Sequence, residues 1–349
     1  MLFFEVFLRI QMSYINYINK TLKPRITEKE IVLDLFAGCG GLSLGFEAVG
    51  YKTIGYEMNE AAVETYRQNL NGDCHAIKLN LDFDYPQAEI IIGGPPCQPF
   101  SVGGHQRGIE DARDGFPIFI DAVKKLQPKV FMFENVRGLL YTNKWYFELV
   151  IEELRKLGYL IDFKLLNAVN YGVPQNRERL FVFGHRAKFN FPKQQPNKIT
   201  VQEAIGDIMY TTPPESKFLT ASMDKYVAKY EKASDCINPR DLYPEKPART
   251  LTCRNLAGAT GDMQRVKLKD GRRRRLLHKE AARLQSFPDW FSFSGNETQQ
   301  YNQIGNAVPP LLAYKLAIAL KECYQTEELY TADEIIEHDL KPNHELTLF

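Results

Sequence analysis

The sequence predicts an α/β fold in which a parallel β-sheet is covered by helices on both faces. Short apolar runs alternate with helical patterns from residue 31 onward, starting with the buried strand Ile31–Phe36 and a helix from Leu42 to Val49. A glycine-rich turn joins that strand to that helix, and Gly50 ends the helix. Strands that alternate with helices in this way pair in parallel. The 349 residues, 44% of them hydrophobic, are enough for about two domains with cores of their own.

Further elements follow from the same periodicities. The predicted strands are Thr53–Glu57, Glu89–Ile92, Val130–Glu134 and Leu180–Gly184, with an extended segment Leu160–Leu166. The predicted helices are Ala61–Leu70, Tyr146–Leu157, Lys279–Gln285 and Leu311–Tyr324. Residues 186–275 are richer in Pro, Thr and Lys and only weakly periodic, which predicts a second domain of irregular structure.

The composition excludes several classes of protein. The high hydrophobic fraction excludes a mainly disordered chain. The six cysteines form no C-x-x-C pair, which predicts no metal site, no disulfide framework and a reducing, cytoplasmic location. No apolar run reaches the ~20 residues of a membrane span. The apolar first residues of the sequence are interrupted by Glu5 and Arg9, so they form a poor signal peptide. We expect Met12 to be the natural start of the protein.

The glycine-rich turn, Asp34–Gly41 (DLFAGCGG), indicates a ligand site. Glycines there permit a tight turn and a close approach of ligand to backbone. Glu57 lies 19 residues beyond Gly38, at the end of the next predicted strand, where a carboxylate can bind two ribose hydroxyls. Together these features favour a nucleoside-containing cofactor, although an ordinary strand-to-helix turn would also contain such glycines.

A cysteine follows the third predicted strand, in Gly93–Ser101 (GGPPCQPFS). Loops at the carboxyl ends of parallel strands line the active crevice. A lone cysteine is often a small buried hydrophobe. Prolines on both sides of Cys97 fix the backbone, which suits a nucleophile better than a core residue. The polar, glycine-rich segment Val102–Gly115 that follows is predicted to be a lid.

With these motifs in place, the chain resembles the DNA (cytosine-5)-methyltransferases of bacterial restriction–modification systems. The likeness extends from about Ile31 to Leu320 and rests on six motifs in the family's order. They are Asp34–Gly41, Pro95–Ser101 (PPCQPFS), Glu134–Val136 (ENV), Gln175–Arg179 (QNRER), Arg283–Pro288 (RLQSFP) and Gln303–Pro309 (QIGNAVP).

The resemblance implies a Rossmann-like, S-adenosylmethionine-dependent methyltransferase sheet with a smaller, irregular target-recognition domain. It implies methylation of carbon 5 of a specific cytosine in double-stranded DNA, with the base flipped out of the duplex. Cys97 would add to carbon 6, because a covalent adduct makes carbon 5 nucleophilic. Glu134 would donate to N3, and Arg179 would contact O2 with Arg177 assisting.

The resemblance also assigns ligand residues. The residues expected around S-adenosylmethionine are Phe36, Gly38, Cys39, Gly40, Gly41, Glu57, Met58, Asn80, Leu81, Pro96, Phe116, Asn306 and Val308. Asn80-Leu81 stands where the family commonly has Asp-Ile. The residues expected at DNA are Arg249, Thr250, Leu251, Arg272, Arg273, Arg274 and Arg275.

The charge distribution agrees with a nucleic-acid partner, although the total of +1 does not. Residues 186–275 carry 19 Lys and Arg against 10 Asp and Glu, so the rest of the chain is acidic. The expected organisation is an N-terminal extension 1–30, a catalytic and cofactor domain 31–186, a target-recognition domain 187–275, a hinge 276–300, and a segment 301–349 that completes the catalytic domain. We expect a monomer that works beside a restriction endonuclease.

Three alternatives remain open at this point. A transfer RNA methyltransferase of the same family would share the chemistry, but the Cys-Phe-Thr element of that branch is absent. A catalytically silent DNA-binding relative would be expected to lack Cys97, Glu134 or Arg179. A nicotinamide dehydrogenase would share the glycine turn and leave the cysteine loop unexplained.

Overall fold

The chain divides into two compact units in the computed structural model, which describes residues 12–97, 114–233, 235, 240–258 and 261–325. The sheet unit consists of Pro24–Asn167, Glu178–Lys193 and the chain from Ala313 onward. The insert unit consists of the chain up to Lys23, Ala168–Arg177 and Gln194–Leu312. Most of the predicted lid lies outside the described residues.

Seven strands form the central sheet, in the order β3-β2-β1-β4-β5-β7-β6. They are β1 Ile31–Leu35, β2 Lys52–Glu57, β3 Asp73–Ala76, β4 Ile90–Gly93, β5 Val130–Val136, β6 Leu160–Asn167 and β7 Glu178–His185. The first five pair in parallel, which confirms the α/β prediction. Parallel pairing is wrong for β7, which runs antiparallel to both β5 and β6. Only ten residues, Ala168–Arg177, join β6 to β7, and a parallel crossover needs a dozen or more.

The helices of the described residues include the five that the sequence predicted, close to their predicted positions. They are α1 Tyr14–Thr21, α2 Gly41–Val49, α3 Glu60–Asn69, α4 Phe116–Leu126, α5 Gly138–Tyr141, α6 Lys144–Lys156, α7 Val201–Ile205, α8 Ala221–Ala233, α9 Cys253–Ala257, α10 His278–Leu284, α11 Glu297–Asn306 and α12 Pro310–Gln325. The sequence analysis predicted α2, α3, α6, α10 and α12, and it did not predict the other seven helices or the short strand β3. Among the described residues, no helix has the length and apolar character that a membrane crossing requires.

The core of the sheet unit lies on the middle strands. All four residues of β4 are buried, as expected for a parallel strand covered on both faces. Phe131 and Phe133 of β5 are fully buried and meet Phe119 of α4 edge to face, with ring centroids 5.9 and 5.5 Å away. Each buried phenylalanine contributes roughly 2–3 kcal/mol to folding. This core fixes the strand ends from which the functional loops leave.

The insert unit contains a two-stranded antiparallel sheet, β8 Arg265–Lys267 with β9 Arg273–Arg275. Buried ion pairs hold it together. The Arg274 guanidinium donates to both carboxylate oxygens of Glu280, at 2.8 and 2.7 Å, and both side chains are fully buried. Arg265 and Arg273 share the carboxylate of Asp241, each at 2.8 to 2.9 Å. Much of the positive charge counted in this region is therefore neutralised inside it.

Helix α2 packs closely against the last helix, α12, within the sheet unit. A Cβ placed on Gly45 would lie 2.4 Å from the backbone carbon of Ala313 and 2.4 Å from the nitrogen of Tyr314. A backbone cannot move aside as a flexible side chain can, so only glycine fits there.

We predict that Gly45→Ala destabilises the protein by about 3 kcal/mol, because the added methyl group overpacks this contact. Urea denaturation measures the change. Gly138→Ala is the control, since a Cβ on Gly138 meets nothing within 4 Å, and it should leave the midpoint unchanged. Equal stability of the two variants would contradict the predicted close contact.

Candidate active site

The glycine turn after β1 has an open side and a closed side. Gly38 and Gly40 both have positive φ angles, 55° and 84°, and so does Phe36 at 62°. A Cβ on Gly38 would meet nothing within 4 Å, so this side of the turn is open to a ligand. A Cβ on Gly40 would lie 2.7 Å from the Tyr66 ring, so the other side rests on α3. The turn can therefore admit a ligand against its backbone at Gly38.

Glu57, at the end of β2, faces this turn. One carboxylate oxygen accepts the Gly38 backbone N–H at 3.0 Å, and the other accepts that of Asn59 at 2.8 Å. Each oxygen keeps a lone pair for a further donor. Met58, the next residue, is 69% exposed. A carboxylate with two free acceptor positions beside an exposed apolar side chain suits a ribose diol and its adenine.

Five buried polar side chains form a hydrogen-bonded series next to the glycine turn, called the polar chain below. Asp34 contacts Ser43 at 2.7 Å, Ser43 contacts Tyr66 at 2.9 Å, Tyr66 contacts Thr53 at 2.5 Å, and Thr53 contacts Glu47 at 2.6 Å. These four oxygen–oxygen contacts have only three hydroxyl protons between them, so a carboxyl proton must complete the chain. Burial raises the pKa of Asp34 to about 7, with a further contribution from Glu57, and burial also raises the pKa of Glu47.

The cysteine turn leaves the end of β4. Cys97 is half-buried, and Pro96 before it is exposed. The Asn135 side-chain amide donates to the Pro95 carbonyl at 2.9 Å, so β5 holds this turn in place. Burial raises the pKa of the Cys97 thiol to about 11, and the nearby carboxylate of Asp114 adds to the effect. By contrast, Cys39 of the glycine turn is buried, with its pKa raised to about 12 mainly by that burial.

Glu134 and Arg179 form an ion pair beside the cysteine turn. The Arg179 Nε lies 3.0 Å from a Glu134 carboxylate oxygen, and both side chains are mostly buried. They stand on the neighbouring strands β5 and β7, where Glu134 pairs with Phe181 in the antiparallel register. A Cβ built on Gly94 would lie 3.8 Å from the second carboxylate oxygen of Glu134. A carboxylate and a guanidinium are thus next to the turn that ends in Cys97.

Arg177 lies in the insert unit, with its side chain buried. It is 2% exposed, and its two terminal nitrogens donate to the carbonyls of Leu251 and Gly305 at 2.7 and 3.1 Å. Its two terminal nitrogens are used inside the insert unit, where they hold the backbone at Leu251 and Gly305. The expectation that Arg177 assists at the base or reaches a phosphate stays a prediction.

The adjacent Gln175 has the same kind of role. Its side chain accepts the Leu251 backbone N–H at 2.7 Å, while the Thr250 hydroxyl donates to the Asn176 carbonyl at 2.6 Å. The sequence analysis gave separate roles to Arg179 and Arg177 and named Gln175 only as part of the QNRER motif. In the structure the motif contains two buried side chains, Gln175 and Arg177, that hold neighbouring backbone, and one side chain, Arg179, that pairs with Glu134.

The other expected cofactor residues differ in exposure. Asn80 and Leu81 are exposed four to five residues beyond β3, which pairs with β2 through Glu57 and Ala76. Phe116 is fully buried against Phe133, with ring centroids 5.2 Å apart, so the structure places it in the core and not at a pocket surface.

Asn306 and Val308 both belong to the insert unit. Asn306 is exposed and accepts the Cys253 thiol at 2.8 Å, and Val308 is buried. Their contact with the cofactor stays a prediction.

The arginine run is not one basic face. Arg274 points into the core and Arg273 binds Asp241, because alternate residues of a strand face opposite sides. Arg272 is exposed, pairs with Asp270 at 2.8 Å and lies over the Phe218 ring at 4.5 Å. Arg274 is fully buried with Glu280 and exposes no guanidinium surface, whereas Arg273 is partly exposed and paired with Asp241, so contact of these residues with DNA stays a prediction. Arg249 is exposed next to the anchored Thr250.

Within the described part of the chain, no three His, Cys, Asp or Glu side chains gather in a way that could hold a metal ion.

The strand order, the glycine turn and the acid at the end of β2 define the class of S-adenosylmethionine-dependent methyltransferases with a Rossmann-like sheet. The chain belongs to the family of C-5 cytosine-specific DNA methylases, whose model matches residues 31–322. It is therefore a DNA cytosine-5 methyltransferase, and this family depends on S-adenosylmethionine. Family membership confirms the resemblance on which the sequence analysis relied.

Two individual relatives are similar to the chain over most of their length. The chain is 55% identical over 316 residues to the Type II methyltransferase M.AplI of Arthrospira platensis, covering 89% of this chain and 92% of that protein. It is 32% identical over 335 residues to the Type II methyltransferase M.FnuDI of Fusobacterium nucleatum, covering 85% and 96%.

Solved structures share the fold. A variant of Spodoptera frugiperda DNMT2 aligns with a TM-score of 0.66 at 19% identity, covering 84% of this chain and 100% of that one. The Entamoeba histolytica methyltransferase EhMeth also aligns with a TM-score of 0.66, at 18% identity, covering 85% and 99%.

The polar chain below the glycine turn predicts a pH dependence of stability. The pKa of Asp34 is higher in the fold than in the unfolded chain, so the native state holds its proton more tightly. Stability is then lost as the pH rises toward 7 and levels off above it. Between pH 5 and 8 the loss is about 3 kcal/mol.

The test is Asp34→Asn, whose amide supplies the missing donor at every pH. Urea denaturation from pH 5 to 8 should show a flatter profile for this variant than for the wild type. Asp82→Asn, at an exposed carboxylate, should keep the wild-type profile. Parallel profiles for wild type and Asp34→Asn would show that Asp34 is already ionised at pH 5.

Proposed function

We propose that the enzyme methylates cytosine through a covalent adduct between Cys97 and carbon 6 of a flipped base. The observation that carries the proposal is that the turn leading to Cys97 lies beside the Glu134–Arg179 ion pair: a Cβ on Gly94 would lie 3.8 Å from one Glu134 carboxylate oxygen, and the Arg179 Nε lies 3.0 Å from the other. A thiol nucleophile, a carboxyl group that can donate a proton and a guanidinium suit addition to a cytosine ring.

In the first step the Cys97 sulfur bonds to carbon 6, and the thiol proton leaves to water. The electron pair of the 5,6 double bond becomes a 4,5 double bond, the pair of the 3,4 double bond moves to N3, and N3 takes up the proton of the Glu134 carboxyl group in its acid form. Arg179 lies 3.0 Å from Glu134, close enough for both to face one base, and its remaining N–H groups suit the O2 oxygen. Carbon 5 is then the nucleophile.

S-adenosylmethionine supplies an electrophilic methyl group when it is bound. The residues present fit it: Gly38 leaves open space, Glu57 keeps two acceptor positions, and Met58 exposes an apolar surface. We assign the ribose to Glu57 and the adenine to Met58 and Leu81. After methylation the carbon-5 proton leaves to water, the bond between sulfur and carbon 6 breaks, and N3 returns its proton to Glu134.

The target base must leave the duplex for this chemistry, at a cost of a few kcal/mol. We assign DNA contact to Arg249 and Thr250, because the backbone beside them is fixed at several points. Gln264 donates to the carbonyls of both residues at 3.2 and 3.1 Å, and Asn255 donates to that of Thr250 at 2.7 Å. Arg272 and Arg275 are proposed phosphate contacts.

The cellular setting follows from the named relatives. M.AplI and M.FnuDI are both named Type II methyltransferases. We propose that this chain is likewise the modification half of a restriction–modification system, acting in the cytoplasm as a monomer beside an endonuclease. Bisulfite sequencing of DNA from a host that expresses the gene would give the target sequence and the modified cytosine. Absence of modified cytosine in that DNA would oppose the proposal.

We predict that Cys97→Ser lowers methyl transfer at least about a thousandfold, because a hydroxyl is a far weaker nucleophile than a thiol. Labelled S-adenosylmethionine with duplex DNA measures the transfer. Binding of DNA should stay within about threefold of wild type, since the substitution leaves the surface charge unchanged. Cys323→Ser, at a buried cysteine far along the chain, is the control and should keep activity.

The same assay separates the alternatives. Label in transfer RNA and not in DNA would identify the RNA methyltransferase. DNA binding without any transfer by the wild type would identify a silent relative. Full activity of Cys97→Ser would overturn the covalent step alone.

We predict that Arg249→Ala weakens binding to target DNA by about 1–3 kcal/mol if its guanidinium reads a base edge. Discrimination between target and mismatched duplexes should fall with it. Fluorescence anisotropy at several salt concentrations measures both. A loss equal for all sequences, with a shallower salt dependence, would instead identify a phosphate contact. Arg67→Ala, at an exposed arginine paired with Asp73, should have no effect.

A further inference from the structure

Asp114 is a buried carboxylate that the proposed chemistry does not use. It is 4% exposed and lies just before α4 in the sheet unit. One oxygen accepts the Phe116 backbone N–H at 3.1 Å, and the other accepts the hydroxyl of Tyr146. Tyr146 itself is buried on α6, with its ring centroid 5.8 Å from that of Phe116. Asp114 is thus fixed between two helices.

The residue after Asp114 holds the cysteine turn. The Gly115 N–H donates to the Pro96 carbonyl at 2.9 Å, one residue before Cys97. A Cβ on Gly115 would lie 2.5 Å from Pro96 Cδ and 2.9 Å from the Phe36 ring. Gly115 therefore touches both the cysteine turn and the glycine turn. Contacts that hold Gly115 in place therefore also hold the backbone of Pro96, one residue before Cys97.

The same carboxylate acts on the thiol through its charge. Asp114 raises the pKa of Cys97, as burial does, and Cys97 in turn contributes to the raised pKa of Tyr146. The three groups therefore lie within electrostatic range of one another. Among the described residues, Glu134 on β5 and Arg179 on β7 are further charged side chains beside the turn, and they pair with each other.

We propose that Asp114 and Tyr146 form a brace that positions Cys97 for attack and holds a negative charge near its thiol. The proposal deepens the proposed function, because it concerns the nucleophile assigned there. Asp114 is a positioning residue and touches no reacting atom. Its charge adds to the effect of burial in favouring the protonated thiol in the free enzyme, and the brace keeps the Pro96-Cys97 backbone in one orientation.

Two variants separate the two parts of the brace. Tyr146→Phe keeps the ring and removes only the hydroxyl, so kcat should fall about tenfold through misplacement of the nucleophile. The KM values for DNA and S-adenosylmethionine should stay within about twofold, since no ligand contact changes. Asp114→Asn keeps an acceptor for the Phe116 N–H and removes the charge. Tyr141→Phe, at an exposed tyrosine, and Asp121→Asn, on the same helix α4, are matched controls.

The charge is tested without any turnover. Iodoacetamide labelling of Cys97, followed by peptide mass spectrometry across a pH series, gives the midpoint at which the thiol ionises. Asp114→Asn should lower that midpoint by about one pH unit, because the nearby negative charge is gone. This readout stands even if Cys97→Ser retains methyl transfer, so failure of the covalent mechanism and failure of the brace are distinguishable.

The outcomes are decisive in either direction. A lower labelling midpoint in Asp114→Asn, with a reduced kcat and unchanged KM in Tyr146→Phe, supports the brace. A wild-type midpoint together with a wild-type kcat overturns it. Circular dichroism confirms the fold of each variant first. If Asp114→Asn fails to fold, Tyr146→Phe decides alone, and an unchanged kcat there overturns the proposal.

Discussion

The register of three neighbouring parallel strands determines where the chemistry can occur. Asp34 of β1 pairs with Ile92 of β4, and Gly93 of β4 pairs with Phe133 of β5. The glycine turn after β1, the cysteine turn after β4 and Glu134 near the end of β5 therefore all lie at the same edge of the sheet. A shift of one residue in any of these pairings would turn every side chain of that strand to the other face. The site depends on this register more than on any single contact within it.

Motif spacing predicted the part of the site that depends on strand ends. Cys97 follows the apolar strand β4, Glu57 is the last residue of β2, and Glu134 lies close to the end of β5. Because the ends of parallel strands meet at one edge, their neighbourhood could be inferred from the sequence. The antiparallel direction of β7 could not be inferred from the sequence, because an apolar run has the same pattern in either direction. Its direction depends on the connection Ala168–Arg177, which contains only the 3₁₀ turn Ala168–Tyr171 and is too short for a parallel crossover.

The roles within QNRER show a second limit of sequence reasoning. Arg177 and Arg179 are two residues apart and chemically identical, so only the family resemblance gave them different roles in the sequence analysis. In the structure one is buried on the carbonyls of Leu251 and Gly305, and the other pairs with Glu134. The difference arises from tertiary partners that lie 40 or more positions away along the chain. A sequence motif thus predicts where its residues lie in the fold more readily than it predicts the chemical role of each residue.

The insert unit shows why a count of charges overstates a binding surface. The sequence puts 19 basic residues into 186–275, yet Arg265, Arg273 and Arg274 are bound to Asp241 and Glu280 within the unit. A desolvated ion pair cannot also exchange with phosphate, because breaking it leaves a buried charge at a cost of about 3–5 kcal/mol. Basic side chains whose charged groups reach solvent, such as Arg249, are the ones available to phosphate. The basic composition therefore serves the internal structure of this unit as well as its partner.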